Sequence, residues 1–261
     1  MLNRLYQLTS QIGHVTVRVV WQLGFAIRFL GNIIWHSKKT WTKPILLSQN
    51  IYFFGVLSLL IIIVSGFFVG MVLGLQSYTF LTRFGSPNTV GAMVAIALLR
   101  ELGPVLSALL FAGRAGSAIT ASIGLMKVTE QFDAMRAMAV NPIAQVIAPR
   151  FWAGIISMPI LAALFNLAGI WGSYFVGVIM IGLDGGTFWS QILVNVDWYN
   201  DVLNGLVKST VFGISIATIA VLKGYNSKPT AEGVAQATTQ TVVMSALAIL
   251  ALDFILTTFM F

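Results

Sequence analysis

Cysteine is absent from this sequence, and charged residues are scarce. Only 9% of the 261 residues are charged, whereas 57% are hydrophobic; an ordinary soluble domain has about 25% charged residues. A soluble fold of this size needs far more charge on its surface, so the composition excludes a soluble enzyme, a disordered chain and a coiled coil. The lack of cysteine excludes disulfides, cysteine nucleophiles and thiolate metal sites. The composition therefore predicts an all-α integral membrane protein.

The motifs of nucleotide hydrolysis and metal binding are missing as well. The sequence has no Gly-x-x-x-x-Gly-Lys-Ser/Thr element, which excludes nucleotide hydrolysis by the P-loop route. Both histidines, His14 and His36, precede the first apolar run, and the two acids inside the apolar runs, Glu101 and Asp253, are far apart in sequence. These patterns predict neither a catalytic group nor a metal site. They favour a carrier or permease component over an enzyme.

Five apolar runs are long enough to cross a membrane, since a helix needs about 20 residues to span the hydrocarbon core. The third run contains Pro159, which predicts a kink. The runs predict five transmembrane helices, at Ile51–Leu75, Thr89–Ala112, Phe151–Leu183, Val202–Leu222 and Val234–Phe259.

Basic residues are unevenly divided between the two ends of these predicted helices. Six lie in the N-terminal segment, four in the connection 113–150 and two in the connection 223–233. The opposite connections, 76–88 and 184–201, together contain one basic residue, Arg83. Cytoplasmic loops carry an excess of Lys and Arg, so we expect the N-terminus in the cytoplasm and the C-terminus on the outer side of the membrane. The net charge of +7 then indicates contacts with lipid headgroups rather than nucleic acid.

The first 44 residues have the pattern of a basic amphipathic helix. They contain no acid, and apolar residues recur every three or four positions from Leu2 to Ile34, which is a helical period. The pattern predicts an interfacial helix and linker over residues 1–44, followed by a transmembrane domain over residues 45–261. An amphipathic helix packed on protein is the alternative. The expected lipid-facing row is Leu5, Leu8, Ile12, Val15 and Val19, and the expected phosphate contacts are Arg4, Arg18 and Arg28.

Glycine recurs at every fourth position in the first span, at Gly66, Gly70 and Gly74. This spacing lets two helices approach closely. It indicates either helix packing or dimerisation.

Four ionisable residues lie inside the predicted spans, where a charge is costly and usually faces a cavity, a bundle interior or a partner. Arg100 and Glu101 are neighbours that point about 100° apart, so each needs its own partner or water. Their charges indicate either a functional role or a structural ion-pair network. Lys208 and Asp253 lie roughly 9 and 8 Å below the outer ends of their spans. This matched depth predicts an interhelical ion pair, with snorkelling of both residues to the headgroups as the alternative.

A short amphipathic segment follows the second span. Thr129 is predicted to cap a helix with an acidic first turn. Apolar side chains flanked by charges suit docking into the groove of a soluble partner, and a loop packed on its own bundle is the alternative. The segment is interpreted as a coupling helix, and its expected contact residues are Glu130, Phe132, Asp133, Met135 and Arg136.

Four segments carry a resemblance to a known family: VSGFFVGMVLGLQ (64–76), LLRELGPVLSALLFAGRAGSAITASIGLMKVTEQFDAM (98–135), PRFWAGIISMP (149–159) and TTQTVVMSALAILALDFILT (238–257). In this combination they resemble the MlaE family of ABC transporter permeases. The resemblance implies a permease of the system that maintains outer-membrane lipid asymmetry in Gram-negative bacteria. The resemblance implies an interfacial N-terminal helix, five transmembrane helices and a coupling helix at about 127–138. It also implies a homodimer in the bacterial inner membrane.

The resemblance further implies a substrate and partners. The substrate would be a glycerophospholipid, held in a cavity at the dimer interface. ATP and Mg would bind to a separate cytoplasmic ATPase of the MlaF type, which carries a STAS-domain protein of the MlaB type. A periplasmic MCE-domain hexamer of the MlaD type would sit above the dimer. The lipid-binding residues carried over from the family are Leu73, Gln76, Leu81, Arg100 and Glu101.

A phospholipid needs a wide apolar cavity with a few polar anchors, which fits the many apolar residues and few charges of the spans. Three other functions remain open. A secondary lipid transporter is expected to show inverted repeats and discontinuous helices. A lipid-modifying enzyme would need a nucleophile–base pair, and a scaffold that only anchors partner proteins would not need Arg100 and Glu101. A P-loop ATPase that co-purifies with the chain would favour the permease.

Overall fold

A computed structural model of the protein describes residues 17, 21, 24–37 and 44–260. In this part of the chain, five helices are long and apolar enough to cross a membrane, and no strand is present. The prediction of an all-α protein with five spans is therefore confirmed. The spans, numbered 1 to 5, are Pro44–Arg83, Pro87–Val128, Ile143–Met180, Trp198–Asn226 and Ala231–Met260. Two short helices, Gln131–Ala137 and Gly185–Asn195, lie in the connections after spans 2 and 3.

Four of the spans contain turns that are tighter or wider than those of an α-helix. The α-helical parts are Pro44–Phe54 and Leu59–Arg83 in span 1, and Val90–Ala97, Gly103–Phe111 and Ser117–Val128 in span 2. Spans 3, 4 and 5 each have one α-helical part, at Ala148–Tyr174, Asn204–Asn226 and Ala231–Met260 respectively. Tighter 3₁₀ turns occur at Val56–Ser58 and Pro87–Thr89. Wider π-helical turns occur at Leu98–Leu102, Ala112–Gly116, Ile143–Ile147, Phe175–Met180 and Trp198–Leu203. Such wide turns are rare and frequently mark functional sites.

Except at the end of span 3, which stops at Met180 instead of the predicted Leu183, the helices extend beyond the apolar runs that predicted them. The predicted loop 113–150 shrinks to residues 129–142, because Arg114 and Lys127 lie in span 2 and Arg150 lies in span 3. Arg114 and Lys127 are tolerated in span 2 because they meet polar partners. A guanidinium nitrogen of Arg114, for example, donates to the carbonyl oxygen of Phe53 at 2.8 Å, where span 1 is broken. Pro159, which was expected to kink span 3, lies inside an α-helix that continues to Tyr174.

Spans 3 and 4 form the interior of the bundle. Span 3 packs against spans 1, 2 and 4, and span 5 packs against spans 2 and 4. The large side chains of Met158, Phe165 and Phe212 are fully buried between them. Spans 1 and 5 are the least buried, so their outer faces remain open on the surface of the chain.

A glycine seam, formed by Gly66, Gly70, Gly74, Gly169 and Gly172, joins spans 1 and 3. A Cβ added at Gly70 would collide with the backbone of Gly169, and one added at Gly172 would collide with the backbone of Phe67. Only glycine allows two helix backbones to approach this closely. The repeated glycines of span 1 are therefore used for packing within the chain.

The described part of the N-terminal segment is helical from residue 24 to residue 37. Phe29 and Ile33 are buried against the bundle, and the ring of Phe29 lies 5.1 Å from that of Tyr225. Ile27 and Ile34 are exposed on another face, as is Arg28. The helix thus packs on protein along one side and leaves a second apolar side open. The predicted row from Leu5 to Val19, with Arg4 and Arg18, lies outside the described residues.

Candidate functional site

Arg100 and Glu101 lie in a π-helical turn of span 2, Leu98–Leu102. Pro104 follows this turn and has no backbone N–H, so the carbonyl of Arg100 loses the donor that an α-helix would supply four residues later. The ammonium group of Lys208, on span 4, donates to this carbonyl oxygen at 3.2 Å. A lysine of one span therefore completes the backbone hydrogen bonding of another.

Lys208 is fully buried and is surrounded by acceptors. Its Nζ donates to Glu101 Oε2 at 2.8 Å and to Thr257 Oγ1 at 2.7 Å, and it lies 3.0 Å from Asp253 Oδ1. The contact with Asp253 lacks hydrogen-bond alignment, but opposite charges at this distance attract each other whatever their orientation. The predicted ion pair between Lys208 and Asp253 is confirmed. Snorkelling is wrong for Lys208, because burial of this side chain is complete.

Arg100 has a partner of its own, as its position beside Glu101 requires. Its Nε donates to Oδ1 of Asp201, which is fully buried at the start of span 4. The second oxygen of Asp201 accepts a hydrogen bond from the backbone N–H of Asp197 at 2.7 Å. Sequence reasoning missed Asp201 because it placed this residue in a loop. The spacing held a signal, since Asp201 and Lys208 are seven residues apart and share a helix face.

A glycine brings these groups together. Gly205 lies between Asp201 and Lys208, and an added Cβ would collide with the carbonyl oxygen of Leu99. Without a side chain at Gly205, span 4 packs directly on the π-helical turn of span 2. Its two ionisable side chains then meet Arg100 and Glu101.

We call Arg100, Glu101, Asp201, Lys208 and Asp253 the ionic cluster. It contains two cations and three carboxylates from spans 2, 4 and 5. The side chains of Arg100 and Glu101 are 37% and 36% exposed, whereas those of Asp201 and Lys208 are fully buried. The cluster is therefore a structural ion network with one open side. This open side presents a guanidinium and a carboxylate to whatever lies against span 2.

The other lipid-binding residues predicted from the resemblance lie on span 1. Leu73 and Leu81 are half-buried and pack against the core of their own chain. Gln76 is exposed. It lines a shallow depression of about 330 Å³ together with Leu75, Thr79, Phe80 and Arg83. The structure thus groups Arg100 with Glu101 and places Gln76 on a surface formed by span 1 alone.

The predicted coupling helix is present at Gln131–Ala137, but its first residues have other roles. The hydroxyl of Thr129 donates to the carbonyl of Leu125, so Thr129 ends span 2 instead of capping the next helix. Glu130 precedes the helix with a left-handed φ of 54° and makes no side-chain cap. Its backbone turns the chain between the two helices.

The sequence suggested that Phe132 is an exposed docking side chain, but the structure buries it. It is only 4% exposed, and its ring lies 6.1 Å from that of Tyr225 at the end of span 4. Arg136 donates to the hydroxyl of Tyr225 at 3.1 Å, and Lys127 donates to the backbone carbonyl of the same residue at 2.9 Å. The alternative of packing on its own bundle is therefore correct for Phe132.

The rest of this helix leaves a surface open. Asp133 and Arg136 form an exposed ion pair at 2.8 Å, and Met135 is half-buried. Met138, at the end of the helix, is 68% exposed. An apolar side chain beside an ion pair remains available to a partner.

Two capping aspartates stabilise the connection between spans 3 and 4. Asp184 accepts hydrogen bonds from the backbone N–H and the hydroxyl of Thr187. Asp197 accepts from the backbone N–H of Tyr199 and from the side chain of Asn200. In each case the bond from the backbone N–H is the main reason that the pKa of the carboxyl lies below its usual value.

Known proteins resemble this chain over most of its length. The model of the family Permease MlaE matches residues 47–259. The intermembrane phospholipid transport system permease protein MlaE of Haemophilus influenzae is 56% identical over 216 residues, which cover 83% of each chain. A probable ABC transporter permease protein of Rickettsia typhi is 36% identical over 98% of this chain and 99% of its own.

A plant protein is related as well. The chloroplastic protein TRIGALACTOSYLDIACYLGLYCEROL 1 of Arabidopsis thaliana is 33% identical over 79% of this chain and 59% of its own. Each similarity includes most of the five-span bundle that carries the ionic cluster. The chain is a multi-pass membrane protein that belongs to the MlaE family of ABC transporter permeases.

Proposed function

We propose that the chain is the permease subunit of an ABC transporter that moves glycerophospholipids between the inner membrane and periplasmic carriers, and so maintains outer-membrane lipid asymmetry. The observation that carries this proposal is the half-exposed pair Arg100 and Glu101, at the open side of a buried ionic cluster. An ionisable residue within an apolar bundle is costly and is therefore a candidate functional residue. The Haemophilus influenzae relative is named as a permease of an intermembrane phospholipid transport system, which supports the same proposal.

The open side of the cluster has the chemistry that a phospholipid headgroup needs. The guanidinium of Arg100 binds Asp201 and is 37% exposed, and a guanidinium is a suitable partner for phosphate oxygens. Glu101 can accept from a headgroup ammonium or hydroxyl while it holds Lys208. The acyl chains would lie along the exposed apolar residues of spans 1 and 5. The three other members of the cluster, Asp201, Lys208 and Asp253, keep these two polar anchors in place.

The chain would act in an assembly. A second copy would complete the lipid cavity, and the chain would sit in the inner membrane with its N-terminus in the cytoplasm. ATP and Mg would bind to a cytoplasmic ATPase that carries a STAS-domain protein, and a periplasmic MCE-domain hexamer would receive or deliver the lipid. The ATPase would dock on the exposed surface of the helix Gln131–Ala137, formed by Asp133, Arg136 and Met138.

The proposal is tested by transport in proteoliposomes that contain the full complex. Donor vesicles carry a fluorescent phospholipid, and ATP-dependent loss of the label is measured. Glu101→Ala is expected to insert and bind the ATPase but to transport at a small fraction of the wild-type rate. Glu232→Ala, which removes an exposed carboxylate at the start of span 5, is the matched control and should leave transport unchanged. Wild-type transport by Glu101→Ala would overturn the proposal for this site.

A further inference from the structure

Five aromatic rings contact one another in a row that connects the N-terminal helix with the predicted coupling helix. The ring centroids of Trp21 and Phe25 lie 6.0 Å apart, as do those of Phe25 and Phe29. The ring of Phe29 lies 5.1 Å from that of Tyr225, which lies 6.1 Å from that of Phe132. Aromatic rings attract each other at centroid distances of about 4.5–7 Å. We call these five residues the aromatic row.

The row begins on the surface of the chain and continues into its interior. Trp21, Phe25 and Phe29 are four residues apart, so they share one face of the N-terminal helix. Trp21 is 71% exposed, Phe25 is half-buried and Phe29 is only 5% exposed. An exposed tryptophan favours the membrane–water interface, where its apolar ring and its polar N–H are both accommodated. The outer end of the row is therefore suited to the headgroup region, and the row is buried from Phe29 onwards.

Tyr225, near the end of span 4, is the point where the row meets three other segments. Its ring contacts Phe29 of the N-terminal helix and Phe132 of the predicted coupling helix. Its hydroxyl accepts a hydrogen bond from Arg136 at 3.1 Å, and its backbone carbonyl accepts one from Lys127 of span 2 at 2.9 Å. The ammonium group of Lys127 also lies 6.0 Å from the ring centroid. The side chain of Tyr225 is thus held from several sides.

The predicted coupling helix depends on Tyr225 for its position. This helix has only seven residues and begins without a side-chain cap. Helices this short are not stable in isolation, so contacts with the rest of the chain must hold them. Phe132 and Arg136 are four residues apart on one face of the helix, and both contact the side chain of Tyr225. A change in the position of the Tyr225 ring would therefore turn the helix together with its exposed docking surface.

We propose that Tyr225 is a positioning residue for the ATPase, and that the N-terminal helix acts on the docking surface through it. The inference rests on the proposed function and extends it, because it assigns the orientation of the docking surface to a residue outside that surface. Phe29 provides the critical case, since it is buried and cannot touch the ATPase. An effect of Phe29 on ATPase affinity has to pass through its neighbours, and Tyr225 is a neighbour that also contacts the predicted coupling helix.

The test measures the affinity of a purified MlaF-type ATPase from the same organism for the full-length chain. The chain is held in nanodiscs of phosphatidylethanolamine and phosphatidylglycerol, and binding is followed by biolayer interferometry. Phe29→Leu keeps a large apolar side chain but removes one ring from the row, and it should weaken binding by about fivefold, the value of one aromatic contact. Ile33→Val, which shortens another fully buried side chain of the same helix, is the matched control and should bind like the wild type.

Variants of Tyr225 test the route. In Tyr225→Leu, which has no ring, Phe29→Leu should cause no further loss of affinity. In Tyr225→Phe, which keeps the ring and loses only the hydroxyl, Phe29→Leu should again weaken binding by about fivefold. If Phe29 only stabilised its own helix, the loss would be the same in both backgrounds. Thermal unfolding checks that each variant is folded, and Tyr225→Met, which also lacks a ring, replaces Tyr225→Leu if that variant does not fold.

Three results would overturn the inference. One is wild-type affinity in Phe29→Leu, and another is an equal loss in Ile33→Val. The third is a loss in Phe29→Leu that is the same whether or not the ring of Tyr225 is present. If Met138→Ala weakens ATPase binding while Phe29→Leu and Tyr225→Leu do not, only this inference fails. If the wild type does not bind the ATPase, the proposed function fails with it.

Discussion

The glycine seam and the ionic cluster hold helices together by opposite means. In the seam, spans 1 and 3 touch through bare backbone at Gly70 and Gly169, with no charge involved. In the cluster, spans 2, 4 and 5 are joined by charged side chains around Lys208. Lipid tails are as apolar as leucine, so helices in a membrane need close packing or polar contacts to associate. In this chain, close packing alone joins spans 1 and 3, whereas spans 2, 4 and 5 combine charged contacts with a close approach at Gly205.

The difference determines how each region fails. The seam depends on shape, because a Cβ added at Gly70 or Gly172 would collide with helix backbone rather than with a flexible side chain. The cluster depends on charge balance, so removal of one member leaves the others buried and unpaired, while removal of all members together is tolerated. The contacts of the seam are therefore fixed by the helix backbones, whereas the charged side chains of the cluster can exchange one polar partner for another.

The largest expected effect is in the seam. Gly70→Leu would place a branched side chain where the backbone of Gly169 lies. Overpacking costs about 1–3 kcal/mol where neighbouring side chains can yield, and here the obstacle is a helix backbone. We expect almost no folded protein after detergent extraction, measured by size-exclusion chromatography. Gly113→Ala is the control, since nothing lies within 4 Å of its added Cβ; a well-folded Gly70→Leu would contradict the role of the seam.

The next effect separates charge balance from shape. Lys208→Met should destabilise the bundle by about 3–5 kcal/mol, because two carboxylates and a carbonyl lose their buried cation. Adding Asp253→Leu restores only part of the stability, since Glu101 is still unpaired. The triple variant with Glu101→Gln should be close to the wild type in thermal unfolding. Equal melting temperatures for the single and triple variants would show that charge balance does not control this region.

A third comparison concerns the helix Gln131–Ala137, which is held by apolar packing and hydrogen bonds. Phe132→Ala should destabilise this end of the bundle by up to about 3 kcal/mol, because the side chain is buried against Tyr225. Met138→Ala should leave stability unchanged and weaken association with the ATPase, as read by co-purification. The reverse pattern would return Phe132 to the docking role that the sequence suggested.

The smallest effect is expected at an exposed cap. Asp184→Ala should lower the unfolding midpoint by roughly 1–3 °C through loss of the hydrogen bonds from Thr187. The folded state lowers the pKa of Asp184, so its contribution is present above the unfolded value of about 3.9 and is lost as the pH falls through the folded value. Asp184→Asn keeps an acceptor oxygen and should lose this pH dependence. If the unfolding midpoint of Asp184→Ala still differed from that of the wild type at very low pH, the effect would come from something other than the carboxylate.

The sequence predicts the fold well because apolar runs of membrane length have few alternatives. It places the end of span 2 too early, since Arg114 and Lys127 have the pattern of loop residues until their carbonyl partners are known. Those partners belong to spans 1 and 4 and are distant in sequence. Hydropathy alone cannot identify them.

The site was only partly predictable for a similar reason. Matched depth predicted the pairing of Lys208 with Asp253. The link to Glu101 depends on the π-helical turn and on Pro104, which shift the helical phase in a way that periodicity does not reveal. Phe132 was misassigned because an apolar residue in a charged segment has the same pattern whether it packs internally or on a partner. Its partner, Tyr225, lies more than 90 residues away.

Span 4 also connects the two ends of the molecule as a rigid rod. Tyr225 packs against Phe132 and accepts a hydrogen bond from Arg136. Tyr225 and Lys208 belong to the same unbroken α-helix, Asn204–Asn226. They are 17 residues apart, or about 26 Å. Because the helix between them is unbroken, a shift of span 4 along its axis would move Tyr225 and Lys208 together. A shift of about 1 Å would stretch the hydrogen bonds of Lys208 beyond their usual length.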